Sequence, residues 1–167
     1  MKYFAYGSNL CTNRLRLRKV ESATFVAIGV LRRYRLYFHK RSTDGSGKCN
    51  AIFTGNINDE VPGVIFEILS CEKRFLDSAE GLGAGYEEKQ VAIATSDSEY
   101  QCYTYVAERS YIVETLRPYS WYRDVVEAGA REHGFPDAYI QANILSVEAF
   151  PDPNTDRDAR ERKCLEH

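Results

Sequence analysis

The order of two hydrophobic periods along the chain limits its fold more than any other feature. Runs rich in aromatic and β-branched residues at 3–6, 23–30, 34–39, 51–57, 64–69, 91–95 and 100–106 read as short strands, each cut by a turn signal. A helical period interrupts them once, at Phe75, Leu76 and Ala79, and returns after the last strand, over 120–133. Strands, helix, strands, helices is the order of an α+β chain with a small mixed, mainly antiparallel β-barrel or sheet and helices around it. A chain of 167 residues has room for one proper core and not for two.

Local signals fill in this outline. The opening KYFAYGSNL is a buried strand that breaks at Gly7 into a loop of exposed backbone N–H groups. Ser8, Asn9, Thr12 and Asn13 are all candidate caps before RLRLR, whose strict alternation suits a strand and whose leucines and arginines suit a helix. STDGSGK at 42–48 reads as a flexible loop. The runs 51–57 and 64–69 form a hairpin through NDEVPG, which puts Pro62 at a strand start or edge. Ser70 caps the short helix, which stops at EGLGAGY, and 91–95 and 100–106 form a second hairpin through SDSE. The helix 120–133 is stopped by Gly134, and Pro136 opens another that runs to about Ser146. Residues 1–150 are thus one domain. PDPNTDRDARERK makes 151–164 a polar tail, loose or laid on the surface, and Leu165, Glu166 and His167 read as a tag remnant set aside from the fold.

Composition narrows the function classes. No apolar run approaches the roughly 20 residues of a membrane span, and no secretory leader is visible, so a cytoplasmic protein is expected. Five cysteines without a CxxC pair read as reduced thiols, and neither they nor the three histidines come at metal-ligand spacing. The net charge of −2 conceals an asymmetry: residues 1–50 carry +9 and the remainder −11. A basic half can face an anionic partner, nucleic acid included. Here the basic residues are spread over several elements with no low-complexity arm, as basic strand faces beside acidic ones would be. RLRLRK and LRRYRLYFHKR, which interleave bases and aromatics, admit both readings.

Cofactor chemistry finds no support. GxxxxGK[ST] is absent, and GLGAG follows a helix rather than a strand, against a dinucleotide fingerprint. No histidine has a serine or cysteine companion in a nucleophile motif. One carboxylate stands apart. Glu80 closes a helix among apolar neighbours, where the helix dipole disfavours the anion; desolvation there would carry its pKa toward the range of a general base. An ordinary surface glutamate before a glycine stop is the other reading of the same residues.

KYFAYGSNL, DEVPGVIFEI, LDSAEGLGAGY and PYSWYRDVVEAGAREHGFPDAY, in that order, resemble the γ-glutamylcyclotransferase family, also called AIG2-like. The Tyr-Gly-Ser-Asn form is similar to that of γ-glutamylcyclotransferases rather than the YGTL or YGSL of related branches. The resemblance implies a nearly closed β-barrel with helices around it. It also implies an enzyme that converts a γ-glutamyl amide, of an amino acid or amine, into 5-oxoproline plus a free amine, with no metal or cofactor. Glu80 would be the catalytic acid/base. Substrate contacts would come from Tyr3, Phe4, Ala5, Tyr6, Gly7, Ser8, Asn9 and Leu10, with Tyr122 as a hydroxyl donor and Tyr86 on the rim. Gly7 would permit a sharp turn, and the N–H groups from Tyr6 to Leu10 an anion nest. The partner expected is a small-molecule γ-glutamyl substrate, not nucleic acid or membrane, met by a monomer or homodimer. The resemblance departs at Pro62 and in a short glycine turn, both expected to bear on the leaving-group side. A specialised γ-glutamyl conjugate from a biosynthetic pathway, or a non-enzymatic anion- or nucleic-acid-binding module on the same scaffold, are the alternatives.

Overall fold

The computed structural model describes residues 1–166. Strand β1 (Lys2–Ala5) leads through a 3-10 turn at Ser8–Leu10 into helix α1 (Thr12–Leu17). Strands β2 (Thr24–Arg32), β3 (Tyr34–Arg41), β4 (Gly47–Phe53) and β5 (Glu60–Glu67) follow, then α2 (Lys73–Glu80), β6 (Tyr86–Ala94) and β7 (Glu99–Ala107). Helices α3 (Ser120–Glu132), α4 (Asp137–Ile140) and α5 (Thr155–Arg162) complete the chain, with a π-helical turn at Gln141–Leu145. Five strands close a barrel in the order β1-β5-β2-β6-β7. Neighbours run antiparallel except at the seam, where Tyr3 meets Tyr103 in parallel. Phe4, Val64, Ile65, Phe66, Leu76 and Ile93 are wholly or almost wholly buried in the core that the barrel encloses and α2 covers.

Strands β3 and β4 stand outside the barrel as a two-stranded ribbon. The expected hairpin between 51–57 and 64–69 is therefore not formed. The loop at 42–46 joins β3 to β4 instead, and β5 lies between β1 and β2. Pro62 sits inside β5 opposite Val30; pairing with β1 begins only at Val64, so its missing N–H costs no ladder bond on that side.

The RLRLR run is helical. Leu15 points inward and is fully buried, whereas Leu17 is 62% exposed, the divergence that a helix and not a strand imposes on alternate residues. The helix starts after Cys11, with no side-chain cap, rather than at any of the four candidates. The second helix begins at Lys73 after Glu72, not from a Ser70 cap, and ends at Gly81, which takes the left-handed conformation (φ +67°) expected of a C-terminal stop. Beyond Pro136 the chain turns helical as expected, in the short α4 and the π-helical turn.

The polar segment after residue 150 is a packed arm. Asn154 caps α5 by accepting from the Arg157 N–H at 2.9 Å. Asp152 is buried, accepting from Trp121 Nε1 at 2.9 Å and from the Arg157 guanidinium twice at 2.6 Å. Arg162 reaches Asp124 on α3 at 2.7 Å, and Cys164 is buried with Cys11 and Val125. Of the supposed tag remnant, Leu165 packs partly on that cluster, and His167 lies outside the described residues.

Candidate active site

Where β1 leaves the barrel, Tyr3, Tyr6, Gly7, Ser8 and Asn9 line a small inner recess with Cys49 from β4, Glu80 from the end of α2, Tyr86, Tyr105 and Tyr122 from α3. It opens into a cleft of about 660 Å³ that Ser8, Glu80, Tyr86 and Tyr122 also line. Eight of the eleven sequence-predicted site residues thus come together. Phe4, Ala5 and Leu10 do not: Phe4 and Ala5 are buried against the barrel strand at Gly63, and the Leu10 carbonyl is held by His133 Nε2 at 2.9 Å. Pro62 lines neither space.

Glu80 is fixed by a residue the sequence did not mark. Arg18, just past α1, donates to Glu80 Oε1 and, at 2.7 Å, to Asn9 Oδ1. The Asn9 amide in turn donates to Glu80 Oε1 at 2.9 Å and to Tyr3 Oη at 2.8 Å. Both members of the Arg18–Glu80 pair are more than four-fifths buried, so the attraction is only partly screened. One signal was available: RLRLRK follows the YGSN loop closely enough for a short helix to fold a base back over it.

The remaining wall is a set of neutral hydroxyls. Burial and nearby Glu80 push Tyr3 well above the usual phenol range, and burial does the same to Tyr86 and Tyr122. Tyr86 donates to the Cys49 carbonyl at 2.6 Å, and Tyr122 Oη accepts from the Cys49 N–H at 3.1 Å. Burial pushes the Cys49 thiol up to about 12, which removes it as a nucleophile at neutral pH.

Gly7 has φ −119° and ψ −139°, so it does not take the left-handed conformation that favours glycine. Space requires the glycine: a Cβ here would lie 2.9 Å from Cys49 Cβ and 3.5 Å from Tyr122 Oη. In the turn that follows, the N–H groups of Leu10 and Cys11 return to the carbonyls of Gly7 and Ser8. Those of Gly7, Ser8 and Asn9 have no partner among the described residues, which leaves donors beside the recess.

The cleft is cationic. Arg14 pairs with Glu161 at 3.1 Å. Lys48 lies against the Trp121 and Tyr122 rings and pairs with Asp44 at 2.7 Å. Burial outweighs that partner and brings Lys48 down to about 8. No cluster of three metal-ligating side chains occurs, and no helix is long and apolar enough to cross a membrane, among the described residues.

The AIG2-like family model matches residues 60–142. Human gamma-glutamylcyclotransferase is 32% identical over 155 residues, covering 87% of this chain and 78% of the relative. The bovine enzyme is 34% identical over 152 residues at the same coverage. A solved gamma-glutamyl cyclotransferase structure superposes with a TM-score of 0.80 at 27% identity, over 96% of this chain and 98% of that one. The chain belongs to the γ-glutamylcyclotransferase family.

Proposed function

We propose that this site converts a γ-glutamyl amide into 5-oxoproline and a free amine, with Glu80 as general acid and base. The observation that carries the reading is Glu80 at the mouth of a recess whose other wall is the turn with unpartnered N–H groups at Gly7, Ser8 and Asn9. The substrate's α-amine attacks its own γ-carbonyl. A C–N bond forms, a tetrahedral oxyanion appears, and the original amide C–N bond breaks.

Attack within one molecule needs no covalent nucleophile, which suits a recess whose thiol stays protonated. Holding the glutamyl chain folded can supply roughly 7–11 kcal/mol of the barrier. Proton movement is the remaining task. Glu80 takes a proton from the attacking ammonium and delivers it to the departing nitrogen. The free N–H groups of the turn bind the glutamyl α-carboxylate or the oxyanion, and Tyr3, Tyr6 and Tyr122 enclose the glutamyl carbons. Arg18 and Asn9 orient the carboxylate that moves the proton.

A panel of γ-glutamyl amides, assayed for 5-oxoproline, tests the proposal. At least one should be turned over, and Glu80→Gln should lower kcat about 10²–10⁴-fold, the usual contribution of general acid–base catalysis, while substrate still binds. A variant as active as the parent would remove Glu80 from the mechanism.

A further inference from the structure

Two of the cysteines meet outside the recess and play no part in the reaction just described. Cys11 leads into α1 directly after the recess turn, and Cys164 lies in the 3-10 turn Lys163–Leu165 that follows α5. They are 153 residues apart in sequence, yet Cys11 Sγ lies 3.6 Å from the Cys164 carbonyl, and both side chains pack with Val125 in a small buried cluster. Both thiols are free, and each is within hydrogen-bond reach of the other. Cys49 and Cys102 belong to the main core instead, and Cys71 is exposed.

The two sulfurs have unequal surroundings. Arg14 is buried beside them, and its Nε has no hydrogen-bond partner among the described residues. The hydrogen bond from Cys11 and the Arg14 charge hold the Cys164 thiol below the ordinary thiol range, against the effect of burial. Cys11 is pushed up, because it supplies that hydrogen bond and is itself desolvated. One sulfur is thus suited to be a thiolate and the other to stay a thiol. A single short turn covers Cys164, between the exposed Lys163 and Glu166, and Lys163 also lines the cleft. Opening that turn admits a molecule little larger than water.

We propose that Cys11 and Cys164 form an oxidation site for small hydroperoxides, with Cys164 the attacking sulfur and Cys11 the resolving one. The Cys164 thiolate attacks one oxygen of hydrogen peroxide; the O–O bond breaks, and the departing hydroxide takes up a proton to become water. The sulfenic acid left on Cys164 is then attacked by the Cys11 sulfur. An S–S bond forms, the S–O bond breaks, and the hydroxyl leaves as water with the Cys11 proton. Both thiols are oxidised and the peroxide is reduced to water. The disulfide ties the arm that brings Arg157, Arg160 and Glu161 to the cleft onto the residue whose N–H closes the recess turn on Ser8. A dithiol reductant restores both thiols. The site is independent of whether the cleft turns over γ-glutamyl amides.

The test treats reduced wild-type protein with roughly equimolar hydrogen peroxide and maps its peptides by mass spectrometry without reduction. The expected product is a Cys11–Cys164 disulfide that dithiothreitol reverses. It should raise the thermal midpoint by about 10 °C, because the bond closes a loop of 153 residues. Cys11→Ser should stop at a sulfenic acid on Cys164, trapped by a dimedone probe. Cys164→Ser should leave Cys11 reduced, with at least roughly tenfold less trapping. Wild-type protein that oxidises at Cys71 and not at this pair overturns the proposal. So does trapping of Cys11 in Cys164→Ser that matches trapping of Cys164 in Cys11→Ser. The wild-type map stands by itself if a serine variant fails to fold.

Discussion

Arg18 and Glu80 meet as an ion pair across 62 residues of sequence, and both lean on the same asparagine, Asn9. The carboxylate proposed above as the general acid and base is thus held at two points, by Arg18 and Asn9. Arg18→Gln keeps a donor but removes the charge, and frees a carboxylate that is largely buried. The expected result is a kcat lowered about 10²-fold, the cost of displacing a reacting group by an ångström or so, with a smaller change in KM. Steady-state kinetics on a confirmed γ-glutamyl amide decide it. A change confined to KM would mean that Arg18 binds substrate instead of positioning Glu80.

Gly7 is predicted to be intolerant for reasons of space. Gly7→Ala places a methyl 2.9 Å from Cys49 Cβ, so β4 or the turn must yield. Overpacking of this kind costs about 1–3 kcal/mol. Denaturant unfolding of Gly7→Ala, Cys49→Gly and the double variant forms a cycle in which the second change should recover part of the loss of the first. Strict additivity would show that the two positions do not press on each other.

Tyr122→Phe should weaken binding of the glutamyl end with little effect on which amine is released. The hydroxyl accepts from the buried Cys49 N–H, and its loss leaves that donor unpaired at a cost of about 1–3 kcal/mol. KM values across several leaving amines should rise together. A variant that mainly reorders the amines would place Tyr122 on the other side of the scissile bond.

The C-terminal arm should loosen in acid before the barrel does. Arg157 holds the Asp152 carboxyl well below the usual carboxylate range, with help from the Asn154 and Trp121 N–H groups. A folded-state pKa below the unfolded value, about 3.9, adds stability that is present above that pH and is lost as pH falls toward the folded value. Trp121 fluorescence should therefore change below about pH 4. Asp152→Asn should abolish that acid step and lower the thermal midpoint at neutral pH by roughly 5 °C, as expected when a charge-assisted cluster in a chain this long loses its anion. An unchanged acid transition in that variant would assign the step to other carboxylates.

Much of the barrel and most of the inner recess are legible in the sequence, and the division has physical causes. Glu80, Gly81, Ser8 and Asn9 lie at ends of elements, where caps and glycines leave local marks. The site tyrosines were pointed out by the resemblance rather than by periodicity, since buried tyrosines elsewhere in the chain look the same locally. Arg18 and Cys49 carry no cap or glycine mark, because their place comes from partners far along the chain: register and topology bring Cys49 to the recess and Arg18 to the cleft beside Glu80, and neither is encoded in a window of ten residues. The error at β4 and β5 has the same origin. NDEVPG is a sound turn signal, yet the strands that flank it find better partners in β3 on one side and in β1 and β2 on the other. RLRLR is ambiguous between strand and helix in the sequence, because which of its residues are buried depends on the arm: Arg14 is buried against it while Leu17 faces solvent.

The ribbon of β3 and β4, outside the barrel, carries both Lys40 and Cys49, whereas Tyr3 belongs to the barrel wall and Glu80 to the helix that seals it. Mutational drift therefore meets two different penalties. A change in the wall strikes the core and the chemistry at once. A change at an exposed ribbon position such as Arg35 or Arg41 strikes neither. Tolerance in the ribbon is therefore confined to its exposed face, because Cys49 on the buried face holds Tyr86 and Tyr122 in the recess.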